Sequence, residues 1–479
     1  MSIAEIIQGI IFGTLVFCFA LAIVLGFFGG IHFEPQIRKL CSAWLPLILL
    51  IALGLSTLFS GRNASLYGIA NSLFVGGVSK YSDWILRIAT AFVVFTSLLM
   101  VVSTFLSGRF PKNAARPLFL TFALYFFAVF VVNGIFGTEF SISHKTFYPF
   151  FVVFALYVTS EYDEILFLRL IRDGLLVFLV VGILLIIINY DLVMQKGYHG
   201  LIPGLQSRFW GLASHANNIG PLAVFFLLIT YWVPYRKLFV TVFAICVAFL
   251  TLVLSQSKTA LISAFLVAIV FIFKFWFDAI FGRDKRRTVG VLAVSVFLLL
   301  VLFVLITFVA DIYTRPLEYF LAKLQGRGTL LTGRENIWSI TIAQWESSPL
   351  FGYGPSLWGD DFTTRYGYAG IASNAHNQFF DVLGSAGIFG LIAFMIYVWM
   401  LCQYAIRLAG DSKWISIALL IFIASRCVSE VPLKMMNITT SDFIMHAVLI
   451  GLFMRATVRQ ENNAARANSG TTGPSLVSL

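Results

Sequence analysis

Residues 289–310 read VGVLAVSVFLLLVLFVLITFVA, 22 positions without one charged side chain. A helix of about 20 apolar residues spans the roughly 30 Å of a bilayer's hydrocarbon core. On either side of this run the pattern repeats at 8–31, 44–60, 84–106, 117–136, 146–160, 174–190, 219–235, 238–255, 259–280, 386–406, 414–429 and 441–457. The runs 146–160 and 414–429 are short enough to be half-spans packed inside a bundle, so the sequence predicts 12 or 13 spans. Composition agrees. The chain has 479 residues, 59% of them hydrophobic and only 11% charged, against about 25% charged in soluble proteins. These figures exclude a soluble enzyme, a disordered chain and a fibrous protein. In lipid, only helical bundles and closed barrels satisfy every backbone polar group, and the runs lack the strict alternation of barrel strands. The predicted fold is an all-α, polytopic integral membrane protein with one large non-cytoplasmic loop containing short helices.

The net charge of +11, from 33 Lys and Arg against 22 Asp and Glu, is the signature of basic cytoplasmic loops rather than of a nucleic-acid surface. One set of alternate loops, with the C-terminal tail, holds 19 basic residues, among them the cluster Arg283, Lys285, Arg286 and Arg287; the opposite set holds 13. Arg87, near the end of its span, is expected to snorkel. The richer set is predicted to be cytoplasmic. The expected organisation is an N-terminal bundle over 1–310, a periplasmic loop over 311–385, C-terminal spans over 386–457 and a disordered cytoplasmic tail over 458–479. No cleavable signal peptide is expected, because MSIAEIIQG has no basic residue and no small-residue cleavage site follows the first apolar run. The five cysteines, Cys18, Cys41, Cys246, Cys402 and Cys427, show no pairing or metal spacing and read as buried small hydrophobes.

The long loop carries the chemistry. LLTGRENIWSITIAQWESSPLFGYGPSLWG (330–359) opens with a capping box, Thr332-x-x-Glu335. Trp338, Ile342 and Trp345 form one apolar helix face, and Pro349 with Gly352 and Gly354 makes a turn. A helix lying on the membrane explains the aromatics. It does not explain Arg334 at the positive end of the helix, where a cation beside free backbone N–H groups suits an anionic ligand. In ASNAHNQFFDVLGSAGIFGLIAF (372–394), Asn374 is a candidate N-cap, placing His376 and Asn377 in the first turn of a helix that ends near Gly384. The dipole there disfavours an imidazolium, and a neutral imidazole is what a general base requires.

Five segments, RFWGLASHANNIG (208–220), LSQSKTAL (254–261), LTGRENIW (331–338), PLFGYGPSLW (349–358) and HNQFFDVLGSAGIFG (376–390), taken in order and against the spans, resemble the bacterial O-antigen ligase and polysaccharide polymerase family. The resemblance implies a membrane glycosyltransferase acting on undecaprenyl-pyrophosphate-linked glycans, with a glycan or lipid A–core as acceptor. Where the family commonly has arginine after the SxS motif, this chain has Lys258, which keeps the charge but loses the planar fork.

The residues make chemical sense beside the resemblance. The leaving group is a lipid pyrophosphate whose developing charge cations should clamp; Arg208, Lys258 and Arg334 sit just outside predicted spans on one face. His376 would take the acceptor's proton, with Asn377 orienting the ring or the hydroxyl. His215 with Asn217 and Asn218 is either a helix cap or a glycan contact. Glu430 and Arg426 either pair with each other or face the site, His446 reads as a packed residue, and EYDE (161–164) and Asp360–Asp361 read as solvated loop ends. No cofactor, metal site or nucleic-acid partner is expected. The expected localisation is the bacterial inner membrane, active face periplasmic, with polymerisation of exopolysaccharide or O-antigen repeats as the leading activity and ligation to lipid A–core as its alternative. A transporter or flippase of lipid-linked sugar is the competing class, but no internal repeat of the kind common in transporters is present.

Overall fold

The structure is a computed structural model describing residues 35–67, 79–108, 110–162, 164–198, 202, 205–281, 334–367 and 372–468. The predicted spans 8–31 and 289–310, the basic cluster at 283–287 and Thr332 of the expected capping box lie outside these residues. The longer helices are α1 (Pro35–Leu58), α2 (Lys80–Leu106), α3 (Arg116–Phe136), α4 (Tyr148–Val158), α5 (Glu164–Ile188), α6 (Ala216–Trp232), α7 (Leu238–Ser255), α8 (Lys258–Phe281), α9 (Arg334–Ser347), α10 (Asp360–Arg365), α11 (Gln378–Arg407), α12 (Ile415–Cys427) and α13 (Ser441–Asn468). Single turns join several of them. Seven helices among the described residues are long and apolar enough to cross a membrane, and α1, α6 and α12 supply shorter apolar stretches. The protein is an all-α, multi-pass membrane protein, as the apolar runs predicted. Proline starts α3 and α4 at their first turns, where its missing N–H costs nothing. A small antiparallel ribbon, β1 (Met194–Lys196) with β2 (Ser207–Phe209), lies in the loop before α6 and sets Gln195 opposite Arg208.

The last helix is the axis of the bundle. In α13 94% of the apolar window is buried, against 17% in α8 at the periphery. α13 packs on α1, α4, α5 and α6. His446 in α13 is buried and its Nε2 lies 2.7 Å from the Tyr397 hydroxyl of α11, so it is the packed residue the sequence predicted. Two expectations fail at the far end. α13 runs on to Asn468 instead of giving way to a disordered tail near 458, because Arg459 reaches Glu164 (3.3 Å), Arg407 donates to Gln460 and Ala114 N–H donates to Glu461. Glu164, expected to be solvated with EYDE, is therefore buried in an ion pair. The cysteines also divide. Cys427 is buried, Cys402 is partly so, and Cys246 is exposed on α7, among outward apolar side chains such as Phe249.

α11 is broken near its start. Gly387 has φ 62° and ψ −163°, a conformation open to glycine alone. The break frees backbone groups that lipid cannot satisfy, and the segment 349–354 satisfies them. Tyr353 N–H and Gly354 N–H donate to the carbonyls of Gly384 and Ser385 (both 2.9 Å), while Ile388 N–H and Phe389 N–H donate to Pro349 and Leu350. The helix expected to end near Gly384 thus continues to a kink three residues on. Gly384 is there for proximity: a Cβ on it would stand 2.3 Å from Thr341 Cγ2 of α9. At Gly387 a Cβ would stand 2.4 Å from the Leu350 carbonyl carbon. Gly387→Ala is therefore expected to cost at least about 1–3 kcal/mol from backbone strain alone, read as a lower unfolding temperature of the detergent-purified protein. Gly410→Ala, with nothing within 4 Å of its added Cβ, is the control that should leave that temperature unchanged.

Candidate functional site

The site forms at one end of the bundle, where α6, α8, α9 and α11 begin and α7 and α12 end. Its centre is Glu430, in the loop between α12 and α13. The loop turns there because Glu430 N–H and Ser429 N–H both donate to the Arg426 carbonyl. Glu430 Oε1 accepts from Asn217 Nδ2 (3.1 Å) and stands 3.7 Å from Arg334 Nη2, while Oε2 stands 3.4 Å from His376 Nδ1. Burial alone would push the Glu430 carboxyl up; the hydrogen bond with His376 and the charges of His376, Arg426 and Arg334 outweigh it and hold the group below its ordinary value. It is therefore a carboxylate at neutral pH. Arg426 does not pair with it: the arginine is buried and bonds Asp442 at 2.8 Å. Of the two roles the sequence left open for Glu430, the structure shows the one facing the site.

Arg334 is the first residue of α9 and donates to the Ser429 carbonyl at 2.9 Å. α9 packs on the start of α11, with Trp338 donating to the Ala375 carbonyl (2.8 Å) and its ring on Phe380. The buried edge of α9 is Ile337 and Thr341, while Trp338, Ile342 and Trp345, the apolar face read from the spacing, are half-buried. Asp360 and Asp361 are exposed at the start of α10, as solvated residues. The N-cap of α11 is Asn377 rather than Asn374: Asn377 Oδ1 accepts from Phe379 N–H and Phe380 N–H. His376 thus stands just before the helix rather than in its first turn. Its backbone is left-handed, φ 48°, and its N–H is held by Asn374 Oδ1 at 2.8 Å. Asn377 Nδ2 donates to the Val428 carbonyl at 3.0 Å. Both ends of the Asn377 side chain therefore have protein partners, and the residue clips α11 to the loop that carries Glu430.

The other wall comes from the ribbon and from α6. Arg208 on β2 is buried; its Nε donates to the Ser255 carbonyl (2.9 Å), its Nη2 to Asn217 Oδ1 (2.5 Å), and it lies over the Tyr198 ring. His215 is the N-cap of α6: its Nδ1 accepts from Asn217 N–H at 3.1 Å. Burial, with help from Arg208, pushes the His215 imidazole down to about 4, so it is neutral and keeps its proton on Nε2. Lys258 opens α8 after a turn in which Gln256 (φ 46°) donates to the Ser207 carbonyl and Ser257 Oγ donates to Asn217 Oδ1. Its side chain is exposed and makes no hydrogen bond or ion pair among the described residues. Arg62, half-buried and bonded to the carbonyls of Leu192, Gly211 and Ala213, holds these loops together.

Arg208, His215, Arg334 and His376, far apart in sequence, thus meet through Asn217 and Glu430, while Lys258 is linked to them only through its neighbour Ser257, whose Oγ reaches Asn217. Among the described residues no group of three or more His, Cys, Asp or Glu side chains is placed to hold a metal ion. Asn217 and Glu430 are what sequence reasoning undervalued: one read as a capping residue, the other as one of two charges near a span. The cost of burying a carboxylate without a partner was the available signal. No curated protein sequence matches the chain. Residues 242–395 match the family described as O-Antigen ligase. The match includes Lys258, Arg334, His376 and Asn377; Arg208, His215, Asn217 and Glu430 lie outside it and join them only in space. Over these residues, which hold part of the site, the chain is similar to the O-antigen ligase family, and this supports an O-antigen ligase/polymerase assignment.

Proposed function

We propose that the protein joins undecaprenyl-pyrophosphate-linked glycans at the periplasmic face of the inner membrane, polymerising exopolysaccharide or O-antigen repeat units. The acceptor hydroxyl attacks the anomeric carbon as the bond from that carbon to the pyrophosphate oxygen breaks. The hydroxyl proton passes to His376, and undecaprenyl pyrophosphate departs with its charge met by Arg334 and Arg208, with Lys258 at the rim. The observation that carries this reading is the meeting of Arg334, His376 and, through Asn217, Arg208 around the Glu430 carboxylate at one end of the bundle. A cavity of about 680 Å³ opens beside the same loop, lined by Arg87, His144, Lys145, Tyr148, Asn437 and Thr439 among others. It offers polar groups for a sugar chain approaching along the surface.

The family's description names ligases, and transfer to lipid A–core would use the same donor chemistry. The glycan profile of a deletion strain separates the two. Single repeat units on lipid mean a polymerase; polymer still made, with uncapped core, means a ligase. A strain with unaltered polymer and capped core would defeat both. The face is tested separately. In a background freed of native cysteines, Thr364→Cys should react with an impermeant maleimide in cells with permeabilised outer membranes, and Asn463→Cys only after lysis. The reverse pattern would put the site in the cytoplasm, away from the donor.

A further inference from the structure

We infer that Glu430 is a positioning residue that fixes the His376 tautomer, keeping the proton on Nδ1 and leaving Nε2 free to act as the base. The inference rests on the proposed role of His376. Glu430 Oε2 faces Nδ1 at 3.4 Å, and hydrogen bonds in a site without substrate are often longer than in the reacting complex. A carboxylate only accepts, so an imidazole nitrogen that bonds it must carry the proton. The geometry leaves no freedom to swap ends. Oε1 is taken by Asn217 Nδ2 and faces Arg334 Nη2, both obligatory donors. The ring is aimed by its surroundings: His376 is held in a left-handed backbone by Asn374, the preceding Ala375 is bonded on one side by Trp338 and on the other by Asp381, and the following Asn377 is tied to Val428. A non-glycine residue in that conformation persists only where its surroundings fix it. In the transfer step the acceptor proton goes to Nε2, Nδ1 keeps its own, and Glu430 stays ionised to balance the imidazolium that forms. His215 cannot substitute, because its Nδ1 is committed to Asn217 N–H and its Nε2 carries the proton.

Glu430→Gln tests this sharply. The amide oxygen must face the donors Asn217 and Arg334, which turns the amide NH₂ toward His376. Nδ1 then has to accept, and the proton moves to Nε2, where it blocks the base. In ¹⁵N spectra of the histidine-labelled, detergent-purified protein at mildly alkaline pH, with the His376→Gln spectrum identifying its signals among the six histidines, wild-type His376 should be protonated on Nδ1 and Glu430→Gln should shift the proton to Nε2. With lipid-linked glycan extracted from the host strain as donor, kcat should fall about 10²-fold or more. KM for the donor should stay level or fall, since a negative charge beside the cations has gone. Glu430→Asp should restore part of kcat. An unchanged tautomer or an unchanged kcat in Glu430→Gln would overturn the inference. If instead His376→Gln were active, the base assignment would fail, while the tautomer measurement would still report whether Glu430 governs the ring.

Discussion

His376→Gln should leave a folded, membrane-inserted protein that makes little or no product. Glutamine keeps comparable size and hydrogen bonding but cannot accept a proton at neutral pH. General-base help is typically worth 10²–10⁴-fold in rate, and that is the expected loss in a donor-to-acceptor assay, seen in cells as absence of extended glycan. Because His376 holds a left-handed backbone, φ 48°, His376→Asn is the companion variant: asparagine tolerates that conformation better than most residues and also lacks the base. Inactivity of both, at normal protein level, assigns the loss to the missing proton acceptor. Near-normal assembly by either would end the claim of base catalysis.

Arg334→Ala is expected to cost about 10²–10³-fold in kcat, the usual price of removing one preorganised donor from a developing oxyanion. The guanidinium is partly exposed, anchored on the Ser429 carbonyl, with its other nitrogen near Glu430. It therefore has donors left for a pyrophosphate oxygen, and its removal leaves the bundle's packing intact. Arg208→Ala should lose activity and protein together, because Arg208 is buried between Ser255 and Asn217. Lys258→Arg should remain active, since the charge survives on an exposed side chain. Wild-type rates from Arg334→Ala would remove the cation clamp from the mechanism.

The apolar runs that fall on described residues all became helices, because in lipid the backbone has nowhere else to bond. α7 occupies the predicted 238–255 to the residue. What was not legible depended on long-range partners. The break at Gly387 is possible only because residues 349–354 supply its hydrogen bonds, and no local pattern announces that. The extension of α13 to Asn468 follows from contacts with Glu164, Arg407 and Ala114 in other elements. In the site, Arg334 and His376 stood out because their residue types fit poorly with a purely structural loop. Asn377 and Asn374 exchanged capping roles, since either asparagine could cap and tertiary contact with Val428 decided which. Glu430 was visible as a charge near a span, but its partners lie 54, 96 and 213 positions away, a separation that residue types alone cannot bridge.

The most direct test is a structure of the protein in a lipid nanodisc with undecaprenyl pyrophosphate bound. The two phosphates should lie against Arg334 and the Arg208–Asn217 wall, with the terminal phosphate, where the sugar would be attached, facing His376 Nε2 and Glu430 still on Nδ1. Pyrophosphate held instead by Arg87 and Lys145 in the neighbouring cavity, with Arg334 and His376 left untouched, would contradict the assignment of this cluster as the site of glycosyl transfer.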